Sequence, residues 1–200
     1  FYKHFSNPIE LTLNPNAGSG INILPLNTEK ATSQGIELDI RKSLASLEKS
    51  GSFLSTFKDL TIVFNASYIK SEIFTGQVYS REKSRIMQGQ SPYIINMGLY
   101  YQNEKTGTLI SAMYNCLGKR ISFAGNITTP HIWELPVNSF DLSLGQKLSK
   151  NIELKAGVKD VLKSIHRFVQ YTGTVDNGDE YVVKEYDGDR MFSLGLTISL

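Results

Sequence analysis

The residues whose types invite chemistry are few: three histidines, one cysteine and several charges and aromatics between apolar stretches. His4, His131 and His166 lie in separate segments and Cys116 stands alone, so no H-E-x-x-H or C-x-x-C spacing is present to hold a metal. A serine nucleophile presented on a G-x-S-x-G turn is also absent. Cys116 falls in the middle of an alternating run and reads as a small apolar residue. Asp176-Asn177-Gly178-Asp179-Glu180 offers oxygens suited to calcium without the spacing of a twelve-residue calcium loop, and reads as a polar turn. We therefore expect no catalytic residue, no metal and no cofactor. Binding chemistry is better supplied. Arg81, Lys83 and Arg85 form a basic stretch able to meet an anion, with a merely solvated segment as the alternative. His131, Trp133 and Tyr171 can stack on or hydrogen-bond a solute, or can pack among themselves.

The elements that carry these residues show a period of two. Phe192, Leu194, Leu196, Ile198 and Leu200 alternate with Ser193, Gly195, Thr197 and Ser199; Ile36, Leu38 and Ile40 alternate with Glu37, Asp39 and Arg41. The same alternation predicts eight strands, near 1–10, 31–47, 58–73, 91–103, 107–121, 138–148, 152–162 and 189–200, and no amphipathic helix. The longest uncharged run, 86–103, is interrupted by Gln88, Gly89, Gln90, Pro92, Asn96 and Gly98. It cannot make a spanning helix, which needs ~20 apolar residues.

Composition alone suggests an ordinary soluble domain: 200 residues, 40% hydrophobic, net charge +2. It excludes disorder, a disulfide framework and an electrostatic grip on nucleic acid. The links separate two all-β alternatives. They run long (11–30), moderate (48–58), long (74–90), short (Asn103 to Gly107), long (122–137), short (Ser149 to Asn151) and long (163–188). Long links at one end and short ones at the other suit an up-and-down transmembrane barrel, whereas a sandwich has no reason to sort them. On that reading Ile36, Leu38, Ile40, Phe192, Leu194, Leu196 and Ile198 face lipid. Glu37, Asp39, Arg41, Asp141, Lys147, Glu153 and Lys155 line a wet lumen. Tyr68, Tyr93, Tyr101 and Tyr114 are candidates for interfacial girdles, with core packing as the alternative. The chain opens within a strand pattern at Phe1, which suggests a piece of something larger.

Several segments carry a family resemblance in order along the chain. They are Asn27-Thr28-Glu29-Lys30-Ala31 with Gly35-Ile36-Glu37-Leu38 and Arg41-Lys42-Ser43-Leu44, then Arg85-Ile86-Met87-Gln88-Gly89-Gln90-Ser91-Pro92-Tyr93-Ile94-Ile95-Asn96. Next come Tyr114-Asn115 with Gly118-Lys119-Arg120-Ile121, Val158-Lys159-Asp160-Val161-Leu162, and Phe192-Ser193-Leu194-Gly195. Together they resemble the late-barrel pattern of TonB-dependent outer-membrane receptors, particularly those of Bacteroidetes-type bacteria. One departure is Leu200, where the family usually closes on an aromatic residue.

The resemblance implies the C-terminal third of a barrel of about 22 strands, in the outer membrane of a Gram-negative bacterium. The plug and the segment that meets TonB would belong to an N-terminal part lying outside these 200 residues. External loops would capture a scarce solute such as a metal chelate, an oligosaccharide or a peptide, and the basic stretch could meet lipopolysaccharide phosphates. Expected partners are outer-membrane lipid, the rest of the barrel and its plug, TonB, and a small solute. Two other functions fit the same pattern: a non-transporting barrel that anchors a surface lipoprotein or secretion partner, and a soluble all-β binding module.

Overall fold

Successive side chains of an extended strand leave opposite faces of the pleat, so an alternating sequence can bury or wet each face separately. The computed structural model describes residues 1–13, 23–50, 53–75, 82–172 and 178–199. Arg81, Asp176, Asn177 and Leu200 lie outside the described residues. Strands run in the order β1 (Tyr2–Ser6), β2 (Ile9–Leu13), β3 (Ile23–Asn27), β4 (Lys30–Ser43), β5 (Leu60–Phe74), β6 (Ser84–Arg85), β7 (Tyr93–Asn103) and β8 (Thr108–Leu117). They continue as β9 (Arg120–Phe123), β10 (Ile132–Glu134), β11 (Val137–Lys147), β12 (Ile152–Lys159), β13 (Ile165–Tyr171), β14 (Glu180–Asp187) and β15 (Met191–Ile198). Two short 3₁₀ helices, Ala45–Ser50 and Phe53–Phe57, separate β4 from β5.

One antiparallel meander, β1-β4-β5-β7-β8-β11-β12-β15, forms the body, with β6 added to β5. Directly paired residues share a face. The row Ile62, Leu99, Ala112, Leu142, Val158 and Phe192 therefore runs along one apolar face. The row Asp39, Asn65, Asn96, Asn115 and Ser139 runs along the other. Among the described residues β1 and β15 each pair on one side only, so the meander is an open sheet with two free edges. No described helix is long and apolar enough to cross a membrane.

Several predicted strands end earlier than alternation suggests. The first is cut at Asn7 (φ 50°) into β1 and β2, which belong to different sheets. The strand predicted over 31–47 stops at Ser43, and residues 45–47 enter a 3₁₀ helix. The one over 107–121 breaks into β8 and β9, and the one over 152–162 stops before Asp160 (φ 52°).

The larger departure concerns the long links, which are themselves built of strands. β9 and β10 continue β8 and β11 outward: two residues intervene on each side (118–119 and 135–136), and pairing resumes at Arg120–Glu134 after Leu117–Val137. β13 and β14 likewise continue β12 and β15, across a kink in which Asp160 and Lys163 have positive φ. The resulting outer sheet, β14-β13-β10-β9, repeats the order β15-β12-β11-β8 of the body. A separate hairpin, β2-β3, reaches it through a parallel bridge from Thr12 to Ala124. The packed core lies in this outer tier, where Ile121, Ala124, Trp133 and Val169 cluster, and not between faces of the meander.

At the opposite end β7 turns into β8 through residues 104–107, closing on Gly107 at φ 67°. A Cβ there would lie 2.6 Å from Lys147 Cβ. Gly107→Ala should cost about 1–3 kcal/mol from the left-handed backbone alone. Gly145→Ala, whose added Cβ meets nothing closer than 3.5 Å, should be tolerated. Thermal unfolding of the full-length protein in detergent compares the two.

Candidate functional site

Two arrangements can do chemistry: the polar face of the meander, and the tier of links beyond it. On the polar face an amide ladder crosses four strands. Asn65 donates to Asp39 Oδ2 (3.4 Å), Asn96 donates to Asn65 Oδ1 (3.2 Å), and Asn115 donates to Asn96 Oδ1. Every bond points the same way and ends on a carboxylate. Ser111 and Ser143 hydrogen-bond on the same face at 2.7 Å.

Glu37, Asp39 and Arg41 occupy consecutive positions of this face on β4, opposite Ser67, Asn65 and Val63. Asp141 and Lys147 on β11, and Glu153 and Lys155 on β12, share it. Asp141 Oδ1 accepts from the Asp160 amide at 2.8 Å, fixing the start of the kink. Lys155 Nζ lies 3.6 Å from Glu153 Oε2. On the opposite face Ile36, Leu38, Ile40, Phe192, Leu194, Leu196 and Ile198 are all exposed, from 46% for Ile40 to 80% for Leu194.

In the outer tier a buried ion pair organises the links. Glu10 on β2 pairs with Arg85 on β6; their side chains are 7% and 6% exposed. Glu10 Oε1 also accepts from the Gln88 amide at 2.8 Å. Gln88 in turn accepts from Leu11 N (3.1 Å) and donates to Ser122 O (2.7 Å). Three segments distant in sequence, 10–11, 85–88 and 122, are thereby held together. Arg85 consequently faces an internal carboxylate, which corrects its expected part in a basic external stretch. Lys83 is exposed, and Arg81 lies outside the described residues.

Trp133 and Tyr171, predicted as solute contacts, come together around a residue the sequence did not single out. Lys119 Nζ stands 4.3 Å from the Trp133 ring centre and 4.5 Å from that of Tyr171, within cation–π range, and 3.4 Å from the Tyr171 hydroxyl. Tyr171 also donates to Glu180 at 3.2 Å. Trp133 is buried in the core of the tier, so packing is the main use of its ring. His131 stands edge-on to Trp133 at 6.1 Å; its Nδ1 accepts from the Gly125 amide (2.7 Å) and its Nε2 lies 3.8 Å from Glu82. Beside Arg167, Glu185 favours the charged guanidinium and raises its pKa. No described group of three or more His, Cys, Asp or Glu could hold a metal ion.

A meander with one apolar face, one polar face and links sorted by length is the wall of a transmembrane barrel. The model for "TonB dependent receptor-like, beta-barrel" matches residues 1–161. The chain belongs to this family. No curated protein matches it. A mutant of the ferric enterobactin receptor PfeA from Pseudomonas aeruginosa superposes with a TM-score of 0.56 at 19% identity, over 98% of this chain and 28% of that one. The segment thus spans 28% of that receptor's length, and the likeness establishes the fold alone. TonB-dependent receptors reside in the Gram-negative outer membrane, which places this barrel segment there; the family consists of transporters, not enzymes.

Residue type and spacing assign no site role to Glu10, Gln88, Lys119, Arg120 or Glu134, although Gln88, Lys119 and Arg120 fall within segments that carry the family resemblance. Only the in-phase amides of Asn65, Asn96 and Asn115 left a visible signal, as polar residues on the minor face of three strands. The buried pair gives a direct test. Glu10→Ala leaves a guanidinium buried without its counter-charge, at a cost of about 3–5 kcal/mol. Amide exchange at 9–13 and 84–88 should accelerate strongly in that variant and stay unchanged in Lys83→Ala.

Proposed function

We propose that this segment is the C-terminal third of a barrel of about 22 strands, in a receptor that binds a scarce solute through external links and imports it with energy relayed by TonB. The observation that carries this reading is the segregation of the two faces. Large apolar side chains stand exposed on one face from β4 to β15, with the amide ladder and charges of both signs on the other. In water the first face would drive aggregation, whereas in a bilayer it is the wetted surface.

On this reading Ile36, Leu38, Ile40, Phe192, Leu194, Leu196 and Ile198 meet lipid. Glu37, Asp39, Arg41, Asp141, Lys147, Glu153 and Lys155 line the path beside the plug, and the plug and TonB contact belong to the rest of the protein. The packed outer tier is the solute-facing unit. Lys83, His131 and Tyr171 are its candidate contacts, and Trp133 is their support. The order of the Gln88-Gly89-Gln90-Ser91-Pro92-Tyr93 segment and its neighbours favours a Bacteroidetes-type receptor. The structural neighbour is named for ferric enterobactin, which makes a metal chelate the first solute class to test ahead of oligosaccharides and peptides.

Two measurements test the proposal. Leu142 and Ser143 are adjacent and sit at one depth on opposite faces. Arginine on the lipid face near the midplane costs about 2–4 kcal/mol. Leu142→Arg should therefore impair folding of the full-length protein into vesicles, while Ser143→Arg assembles normally; equal effects would refute the face assignment. Separately, uptake of radiolabelled ferric chelates, oligosaccharides and peptides by cells carrying the full-length receptor should collapse when TonB is deleted. Transport that persists undiminished would sink the energy-coupled reading.

A further inference from the structure

In the buried ion pair of the outer tier one polar atom has no protein partner. Arg85 donates through Nη1 to the Ile86 carbonyl at 3.0 Å and through Nη2 to Glu10 Oε2, but its buried Nε meets no acceptor. Among the described residues no other buried side-chain nitrogen or oxygen is left so. A guanidinium N–H enclosed without an acceptor loses its hydration with nothing in return. The Arg85 side chain, 6% exposed, lines a cavity of about 40 Å³ with Glu10 and Thr12 of β2, Thr28 before β4, Thr75 after β5 and Gly125 after β9.

The protons on these walls select the occupant. The Thr75 hydroxyl donates to Glu82 O at 2.7 Å, that of Thr28 to Pro8 O at 3.0 Å, and that of Thr12 to the carbonyls of Gly125 and Ala124 at 3.3 and 3.4 Å. The amides of Thr28, Thr75 and Gly125 are engaged as well, with Pro8 O, Lys83 O and His131 Nδ1. These groups therefore offer oxygen lone pairs, from three hydroxyls and the Glu10 carboxylate, against the single N–H of Arg85 Nε. A cation would face the guanidinium, and an anion would lie beside Glu10 with one donor to hold it. An organic solute needs a pocket of roughly 300 Å³ or more. What remains is a small neutral molecule that accepts one hydrogen bond and donates two. Water does both, and about 10–15 Å³ suffices for one molecule.

We propose that this cavity is a site for ordered water, which accepts from Arg85 Nε, donates to the threonine and Glu10 oxygens, and joins the β2-β3 hairpin to the outer ends of β5 and β6. A buried water with about three protein partners is part of a structure and costly to remove. Here the oxygens come from residues 10–12, 28 and 75 and the N–H from residue 85, so one small molecule fastens four segments. Hydration also lowers the desolvation penalty of the Glu10–Arg85 pair, which lets a charged pair serve as a joint in the tier.

Arginine-labelled full-length protein in detergent gives a direct readout by nuclear magnetic resonance. The Arg85 Nε–Hε signal, assigned by its loss in Arg85→Lys, should show a cross-peak with water. Crystals of the same protein should show ordered density about 3 Å from Nε, and bromide soaked into them should leave no anomalous scattering there. Leu26→Phe, at a residue that also lines the cavity, should abolish the cross-peak and speed amide exchange at 9–13 and 84–88 about tenfold, the order expected when one buried donor is left unsatisfied. Ile23→Phe, on the exposed face of the same strand, should change neither. An Arg85 Hε without contact to water overturns the site, as does bromide bound in it. Unchanged exchange in Leu26→Phe once the water is displaced overturns its role as a joint. Should Leu26→Phe fail to assemble, the cross-peak and the density in the unmodified protein still decide. None of these outcomes bears on the solute or on the lipid face, which uptake and Leu142→Arg test by themselves.

Discussion

In hydrocarbon no water is present to satisfy a backbone N–H or C=O, and each unsatisfied group costs several kcal/mol. Every strand that crosses must therefore be paired on both sides along its crossing length, and the pairing fixes which side chains share a row. The long contact between β4 and β5, in register from Lys30–Phe74 to Ser43–Thr61, is the result of that constraint. So is the phase coherence of the meander. A slip of one residue in β11 would exchange the faces of Leu142 and Ser143.

The same constraint explains where the core went. A soluble sheet buries its apolar face against a second layer, but a face that meets lipid has no need of one. Burial is left to the links, which stand in water and must pay for their own order. They do so by extending the strands upward and packing Ile121, Ala124, Trp133 and Val169 on the side continuous with the polar face. The change of character along one face, from wet amides and charges to a dry cluster, follows from the change of surroundings along the strand.

Alternation made the eight strands of the body legible, because period two is a local property that each segment displays by itself. The outer tier was illegible for the opposite reason. β10 is three residues long, Ile132–Glu134, too short for any period, and exists because β9 and β13 supply partners on both sides. Arg85 read as one member of a basic stretch because its counter-ion, Glu10, lies 75 residues away. The amides of Asn65 and Asn96 were visibly on the minor face, yet their union into a ladder depends on register, which no single strand encodes. Trp133 and Tyr171 were found by residue type; the lysine between them was not, since Lys119 reads as an ordinary charge beside a glycine until the links fold.

The outer tier is joined by polar contacts more than by area. Glu10 and Gln88 tie β2 to the segment before β7 and to β9; Thr12 reaches the carbonyls of Ala124 and Gly125 at 3.4 and 3.3 Å; Glu134 ties β10 to His166 of β13. A buried ion pair is seldom worth more than well-packed apolar residues of similar size, because desolvation offsets its attraction. What such a pair supplies is direction: Glu10 is satisfied only when Arg85 and the Gln88 amide both face it, an arrangement that places β2 in one position against β9. Links held this way move together or not at all, since separating them means exposing Arg85 and Glu10 at the same moment.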